Sequence, residues 1–350
     1  MWRPIYRITD DIATRLTEIA RMREKVAVAR LLPTREAVLR RKSAVRIAHT
    51  STSIEGNELH EYQVQALVEG KRVQAAANEI KEVENYFKAL HFIDTLFDIK
   101  GFGIAETLKI HHLVTEGLIE KTKTGRFRKG QVYVVAVSAA GRERTVYTPP
   151  PAQDLPVLVD ELFTWLIQAK NVHPVLRAGL LHYQIASIHP FADGNGRTAR
   201  LVTLLHLYQS DWAFRKVLVL DEYYNQDRHA YYQALDTGKT YRERKDVDLT
   251  KWLTYFVDGF WEEAIKVHEQ VLRLITLGRG RVTEAQLDKG ELNIIDFVVT
   301  TGRITSDDVV DILGVPKRTA QAKLQKLLSL HMLKKRGAGP GTYYILNTSV

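Results

Sequence analysis

The sequence predicts a mainly α-helical protein with one β-hairpin set inside it and a compact C-terminal unit of helices and a short second hairpin. Three observations carry this. Apolar residues recur at the three- and four-residue spacing of a helix face through most of the 350 residues. The stretch 131–148 trades that spacing for β-branched and aromatic residues around a turn. Residues 292–346 bring three short apolar runs, helix punctuation and two β-rich segments into one unit. A 45% hydrophobic content at this length suffices for two or three domains with real cores. Cysteine is absent, which excludes disulfides, thiolate metal ligands and a cysteine nucleophile. The net charge of +9 suits anionic partners such as nucleotides or nucleic acid. Met1-Trp2-Arg3-Pro4 leads into no apolar signal core, and no run approaches membrane-spanning length. A cytoplasmic location without a membrane partner is the expectation.

In chain order, residues 8–47 are expected as helices, with Ile12, Leu16, Ile19 and Met22 on one face and a second segment after Pro33. Thr50 to Asn57 has the form of a helix end, with Gly56 as its stop. Residues 78–97 form a strong helix through Ile80, Val83, Phe87, Leu90 and Ile93. Residues 105–119 form another, whose His111 and His112 are packing or surface residues, since no metal spacing accompanies them. Gln131 to Val137 and Arg144 to Thr148 are extended, Ala139-Ala140-Gly141 is their turn, and Pro149 to Pro151 ends the hairpin. Helices resume over 155–166 and 175–188. A tight loop follows, then a helix from Arg197 to Tyr208 with Leu201, Leu204 and Leu205 at helical spacing. Residues 221–235 are rich in aromatics, and 249–277 form a long helix through Trp252, Phe256, Phe260, Trp261 and Ile265. Residues 276–291, with Gly278 and Gly280, form a linker.

The loop between the two central helices, Ile188 to Arg200, concentrates the chemistry. Gly194 and Gly196 let the backbone come close to a ligand. The free N–H groups opening the next helix favour an anion there. Arg197 and Arg200 share a helix face beside that anion, and guanidinium forks suit phosphate oxygens. Asp193 is an oxygen ligand of the kind Mg²⁺ takes when it also holds phosphates. His189 can be neutral near pH 7 and accept a proton from a hydroxyl. Taken singly, each residue has a plainer reading: His-Pro as a helix stop, Asp193 and Asn195 as turn formers. The whole set, with both arginines on one turn, points to attack on a nucleotide phosphate.

His189 to Arg200 resembles, without a departure, the signature of the Fic (filamentation induced by cAMP) family, His-x-Phe-x-Asp/Glu-Gly-Asn-Gly-Arg-x-x-Arg. Resemblance to the wider domain runs from about Ala105 to Leu235. It implies a helical Fic fold with a β-hairpin flap, and transfer of AMP from ATP to a Ser, Thr or Tyr hydroxyl of a protein, the chain itself among the candidates. By position, His189 would be the general base and Asp193 the Mg²⁺ ligand. Asn195 and the amides of Gly194 and Gly196 would hold the phosphates near the metal, and Arg197 and Arg200 would bind the β- and γ-phosphates. Ser51-x-x-x-Glu55-Gly56 is similar to the inhibitory motif of Fic proteins that restrain themselves through an N-terminal helix. A Glu55–Arg200 salt bridge is therefore expected, with Ser51 holding the helix by a hydrogen bond. Tyr231 and Tyr232 either fill the core or line an adenine pocket. The hairpin is either surface decoration or an edge to which an extended target segment adds.

The C-terminal unit is similar to winged helix-turn-helix domains. Thr305 caps its second helix, Pro316 opens its third, and Met332–Lys334 and Tyr343–Ile345 flank a Gly/Pro-rich wing. Lys317, Arg318 and Gln321 stand at the front of the third helix, so DNA is a candidate partner there, as protein is. A second copy of the chain is a further candidate partner. The expected units are 1–100, an N-terminal helical region with the inhibitory motif; 101–275, the catalytic domain; 276–291, the linker; and 292–350, the winged helix. The leading expectation is a self-inhibited protein adenylyltransferase using ATP and Mg²⁺. Two others stay open: an enzyme that moves another phosphate-containing group or removes AMP, and a DNA-binding regulator with a vestigial site.

Overall fold

The computed structural model describes residues 2–31, 33–137, 143–278 and 287–347. Its helices run α1 (Asp10–Val28), α2 (Pro33–Ile54), α3 (Glu61–Val68), α4 (Ala77–Thr95) and α5 (Ile104–Thr115). The hairpin β1 (Val134–Val137) and β2 (Glu143–Tyr147) follows. Then come α6 (Leu155–Gln168), α7 (Pro174–Ile188), α8 (Asn195–Gln209), α9 (Leu220–Gln226), α10 (Arg228–Leu235), α11 (Tyr241–Arg244) and α12 (Thr250–Gly278). The chain closes with α13 (Lys289–Thr301), α14 (Ser306–Leu313), α15 (Lys317–Ser329), β3 (Leu333–Arg336) and β4 (Tyr343–Leu346). The mainly helical fold expected from the spacing is what the chain adopts. The turn expected at Ala139-Ala140-Gly141 and half of the expected linker, residues 279–286, lie outside the described residues; of the other half, 276–278 end α12 and 289–291 open α13. No helix among the described residues is long and apolar enough to cross a membrane.

The core explains the helical spacing. α7 and α8 pack on one another, and α12 covers α7 and α1 with Trp252, Phe256 and Phe260, all buried. α1 begins where Thr9 caps it, its side chain accepting the Ile12 N–H at 3.3 Å, and it buries Ile12, Leu16, Ile19 and Met22 as the spacing predicts. α2 starts at Pro33, whose missing N–H costs nothing in a first turn, and runs to Ile54. The helix end foreseen at Thr50–Gly56 is a turn over residues 55–56, with Gly56 at φ +102°. The short helix α3 has no counterpart in the sequence reading. Its eight residues bury only Val64 and Val68, too few to show a helical stripe.

β1 and β2 pair antiparallel, Val134 with Tyr147 and Val135 with Thr145, with an irregularity between. The base of the hairpin is tied down. Tyr147 donates its hydroxyl to the Ser187 carbonyl at 2.5 Å, the Thr148 N–H donates to Lys239 O at 2.8 Å, and the Tyr241 N–H donates to Thr148 O at 3.1 Å. Tyr133 and Val135, by contrast, are exposed.

In the C-terminal unit, α14 and α15 pack on each other and β3 pairs antiparallel with β4, Leu333 opposite Leu346. Thr305 and Asp308 form a capping box at α14, and Asp288 and Glu291 form one at α13. α13 lies against α2 and α4, with Arg40 and Asp296 paired at 2.5 Å. At its end Gly302 takes φ +86°, where a Cβ would overlap the Val68 carbonyl oxygen.

Candidate functional site

The site is built where α7 stops and α8 starts. α7 ends because His189 takes a left-handed conformation, φ +51°, and Pro190 follows. A histidine at positive φ is uncommon and is held here by its surroundings. Its N–H donates to Ile185 O at 2.9 Å, and its carbonyl accepts from Arg128 Nε at 2.9 Å. His189 Nδ1 lies 3.3 Å from Ala186 O. A carbonyl only accepts, so Nδ1 carries the proton and Nε2 presents a lone pair. Burial pushes the imidazole pKa down to about 4, with the bond to Ala186 opposing and Arg128 adding to the fall. The ring is thus neutral at pH 7, the state a general base needs.

The loop then folds onto itself. Asn195 Oδ1 accepts from Phe191 N at 2.9 Å, and Asn195 Nδ2 donates to Phe191 O at 3.0 Å. The Asn195 side chain is therefore engaged in shaping the loop, and what it offers a ligand is its backbone N–H. Phe191 is buried and stacks on His111 at 3.8 Å between centroids. His111 is buried as well, and it does more than fill space. Its Nδ1 accepts from Gly125 N at 2.9 Å, which leaves Nε2–H to donate to Asp193 O at 3.0 Å. Burial holds its pKa down to about 4, so this bridging tautomer persists at neutral pH.

Gly194, at φ +74°, turns the chain into α8. The first N–H groups of α8 have no helical acceptors, and they point out of the helix end as an anion seat. Arg200 stands over that seat with its side chain 1% exposed. Its Nε donates to Ser51 Oγ at 2.7 Å, and its Nη2 donates to Ser51 O at 2.9 Å and to Glu55 Oε1 at 2.7 Å. The expected salt bridge and the expected serine contact are both present. The Glu55 carboxylate also presses on the seat itself, since a Cβ built on Gly196 would collide with Oε1. That same Cβ would lie 3.2 Å from Arg200 Nη1, which is buried and has no hydrogen-bond partner. An unpartnered guanidinium N–H thus faces the backbone where an anion would sit. On the far side of Arg200, Asp221 Oδ2 lies 3.7 Å from Nε. Burial works to lower the Arg200 pKa, but Glu55, Tyr231 and Asp221 outweigh it and the guanidinium is held charged. Burial works to raise the Glu55 carboxyl, yet Arg200 and Arg197 bring it below its ordinary value.

Arg197 is paired with Glu82 of α4, and its Nη2 lies 3.5 Å from Asp193 Oδ1. Glu82 accepts in turn from Asn57 Nδ2 at 2.8 Å. Asp193 keeps a side chain 59% exposed while its Oδ1 accepts from Gly194 N at 2.5 Å. Among the described residues no group of three or more His, Asp or Glu gathers as a metal site. One exposed carboxylate beside an anion seat still fits Mg²⁺, which binds through one or two carboxylates plus phosphates and keeps its waters.

The two tyrosines part company. Tyr231 is buried against Tyr224 and His182, its hydroxyl 2.8 Å from His182 Nε2, so it packs behind Arg200. Tyr232 is 48% exposed and its hydroxyl approaches the Ile54 carbonyl at 3.5 Å, beside the turn that carries Glu55. Of the pair it alone has a ring free for a ligand. Sequence reasoning missed Glu82, Asp221, Arg128 and the bridging role of His111. Only the run Gly125-Arg126-Phe127-Arg128, rich in charge before the hairpin, gave a signal for any of them.

Residues 102–207 match the family model described as Fic/DOC family. The chain is 30% identical over 220 residues to "Protein adenylyltransferase Fic" of Aedes aegypti, covering 61% of this chain and 41% of that one. It is 30% identical over 211 residues to the protein of the same name from Nematostella vectensis, covering 59% and 45%. It thus spans less than half the length of these curated relatives. Among solved structures, a Fic family protein from Desulfovibrio desulfuricans G20 superposes with a TM-score of 0.64 at 25% identity, covering 100% of this chain and 99% of that one. Fic-1 from C. elegans superposes with a TM-score of 0.59 at 23% identity and shares the fold.

Proposed function

We propose that this chain, which carries a Fic domain at residues 102–207, is a protein adenylyltransferase restrained by its own α2. The observation that carries the proposal is Glu55, bonded to Arg200 and pressed against Gly196 at the open end of α8, with the His189 ring near enough to feel its charge. In this reading ATP lies with its phosphates on the N–H groups of α8, and Arg197 and Arg200 take the β- and γ-phosphates. Asp193 would hold Mg²⁺, which when bound offsets the phosphate charge. His189 takes the proton of a Ser, Thr or Tyr hydroxyl on a protein, whose oxygen attacks the α-phosphorus in line. The O–P bond to AMP forms as the bond to pyrophosphate breaks. The exposed edge of the hairpin offers an extended acceptor segment a strand to pair with. Glu55 restrains the reaction, because its carboxylate holds Arg200 and stands against Gly196 on the seat of the phosphates. The names of the curated relatives support the choice of AMP over other phosphate-containing groups.

The test is incubation of the Glu55→Gly variant with α-labelled ATP and cell lysate, with Glu55→Gly/His189→Ala as control. Label on protein in the first and none in the second is the expected result. Equal label in both refutes the base assignment.

A second reading concerns the C-terminal unit, which we take to be a winged helix that packs on α2 and α4 through α13. Exposed Lys317, Arg318 and Gln321 at the front of α15, with exposed Lys335 and Arg336 at the end of β3, favour a nucleic-acid face. A gel shift of the full chain on duplex DNA, lost on replacing Lys317 and Arg318 with glutamate, checks it.

A further inference from the structure

Arg128 stands outside the loop signature yet touches three parts of the site at once. Its Nε donates to the His189 carbonyl at 2.9 Å. Its Nη1 donates to the Gly130 carbonyl at 2.9 Å and its Nη2 to the Pro150 carbonyl at 2.5 Å. Its own backbone N–H donates to Pro190 O at 3.0 Å. His189 and Pro190 are the entry to the loop. Gly130 and Pro150 are the two feet of the hairpin, one before β1 and one after β2. A single buried side chain, 6% exposed, thus ties the loop to both feet.

The chemistry of this clamp is specific to arginine. All three side-chain acceptors are carbonyls that lie in different directions around one plane, which a guanidinium fork can reach together. An ammonium is a compact point charge on a flexible stem and cannot hold the same three groups in one geometry. Holding a cation in a buried place costs free energy. Three short bonds to backbone offset that cost, and what they fix is the position of His189 relative to the hairpin.

We infer that Arg128 is a positioning residue for group transfer: it locks the loop carrying His189 to the feet of the hairpin, so that base and acceptor hydroxyl share one rigid frame. The inference rests on the adenylyltransferase reading for its consequence, though not for the lock itself. Loss of the lock leaves the anion seat of α8 untouched, because Arg128 makes none of the contacts to Arg197, Arg200 or Gly194 described above. ATP binding should therefore survive while turnover falls. A displacement on the order of 1 Å between reacting groups lowers a rate by about a hundredfold.

Two measurements on the full chain test this, both in the Glu55→Gly background. In the first, Arg128→Gln and Arg128→Lys should lower kcat for AMP transfer by about 10- to 100-fold while the Kd for ATP stays where it was. Arg128→Lys should restore thermal stability more than it restores kcat. In the second, hydrogen exchange of Arg128→Gln should quicken in the hairpin segment 131–137 and in the loop 189–192 together, with α7 and α8 still protected. Loss of kcat and ATP binding in step, or faster exchange in only one of the two segments, overturns the inference. A Glu55→Gly chain that transfers no AMP would sink the adenylyltransferase reading instead, and the exchange pattern would still decide whether Arg128 is the lock.

Discussion

On the proposed function, replacing Glu55 by glycine removes one of two anions that would compete for a single guanidinium. In the structure the winner is the carboxylate, 2.7 Å from Arg200 Nη2, with Ser51 Oγ at 2.7 Å from Nε closing the other side. A charge-assisted bond of this kind contributes about 1.5–3 kcal/mol net. Treated as an equilibrium between a seated and a withdrawn turn, its loss shifts the population by about 10- to 150-fold. The apparent affinity for ATP should rise by up to that factor, and AMP transfer with it. Arg200 is not orphaned by the change, since Asp221 stands 3.7 Å away and Ser51 remains, so the fold should persist. Glu55→Gln separates charge from bulk: the amide still crowds Gly196 but no longer repels a phosphate, so its gain should fall between parent and glycine variant. Calorimetric titration with ATP and α-labelled transfer, with circular dichroism as the check on folding, measure all three. Unchanged ATP affinity in a folded Glu55→Gly chain would refute the reasoning. The pH dependence has a definite sign. The Glu55 carboxyl titrates below its ordinary value of 4.5, so the contact is at full strength above 4.5 and is lost as pH falls through the depressed value. Near neutral pH no change of acidity opens this gate.

Three further outcomes follow from the geometry. His189→Ala in the Glu55→Gly background should lower kcat by about 10²- to 10⁴-fold with ATP binding retained; since burial sets the imidazole pKa at about 4, the acid limb of the kcat profile should also fall near pH 4 and not near 6.5. Gly194→Ala forces a side chain to φ +74° with its Cβ 2.7 Å from Thr115 Cγ2, and urea unfolding should report a loss of about 1–3 kcal/mol together with loss of transfer. The buried histidines His111, His182 and His206 are held neutral by burial, with pKa values down to about 4, 3 and 3. The unfolded chain takes up their three protons, and a fourth at His189, below about pH 6.5, so stability should fall by about 5 kcal/mol between pH 7.5 and 5.5. A flat denaturant midpoint over that range would contradict the burial of these rings.

What could be seen in the sequence was whatever is encoded locally. The stripe Ile12, Leu16, Ile19 and Met22 fixes a buried helix face by spacing alone, and all four are buried. The loop from His189 to Arg200 is legible because one short segment holds a base, a carboxylate, a glycine turn and two arginines, though α8 starts at Asn195, two residues before the expected Arg197. Glu55 was within reach only through a motif, since 145 residues separate it from Arg200. Glu82 had no such handle. It pairs with Arg197 across 115 residues from the middle of α4, where a glutamate normally marks a solvated face. His111 is the packing residue its context suggested, but its bridging role had no handle either: its two partners, Gly125 and Asp193, are brought to it only by the fold. Tyr231 and Tyr232 are adjacent in sequence, yet one turns inward beneath Arg200 and the other outward. Identity alone does not distinguish them; their phase on α10 does.

The two signature arginines are each met by a carboxylate from the N-terminal region, but the supports differ, and the difference decides which can act as a gate. Glu82 projects from the body of α4, its side chain 14% exposed and also bonded by Asn57, so withdrawing it means unpacking a helix that buries Val83, Tyr86, Phe87 and Leu90. Glu55 sits one residue past the end of α2, its side chain 27% exposed, with Gly56 at φ +102° behind it. Moving Glu55 asks only that one turn open, at the cost of the contacts to Arg200 and of the turn's own bonds, from Glu55 N and Asn57 N to Thr52 O and from Gly56 N to Ser53 O. A carboxylate on a helix-end turn beside the start of α8 is the arrangement that lets ligand and carboxylate exchange without disturbing the rest of the fold. The glycine and glutamine variants of Glu55 should therefore change ATP affinity strongly and global stability weakly. The opposite balance is expected for any variant of Glu82.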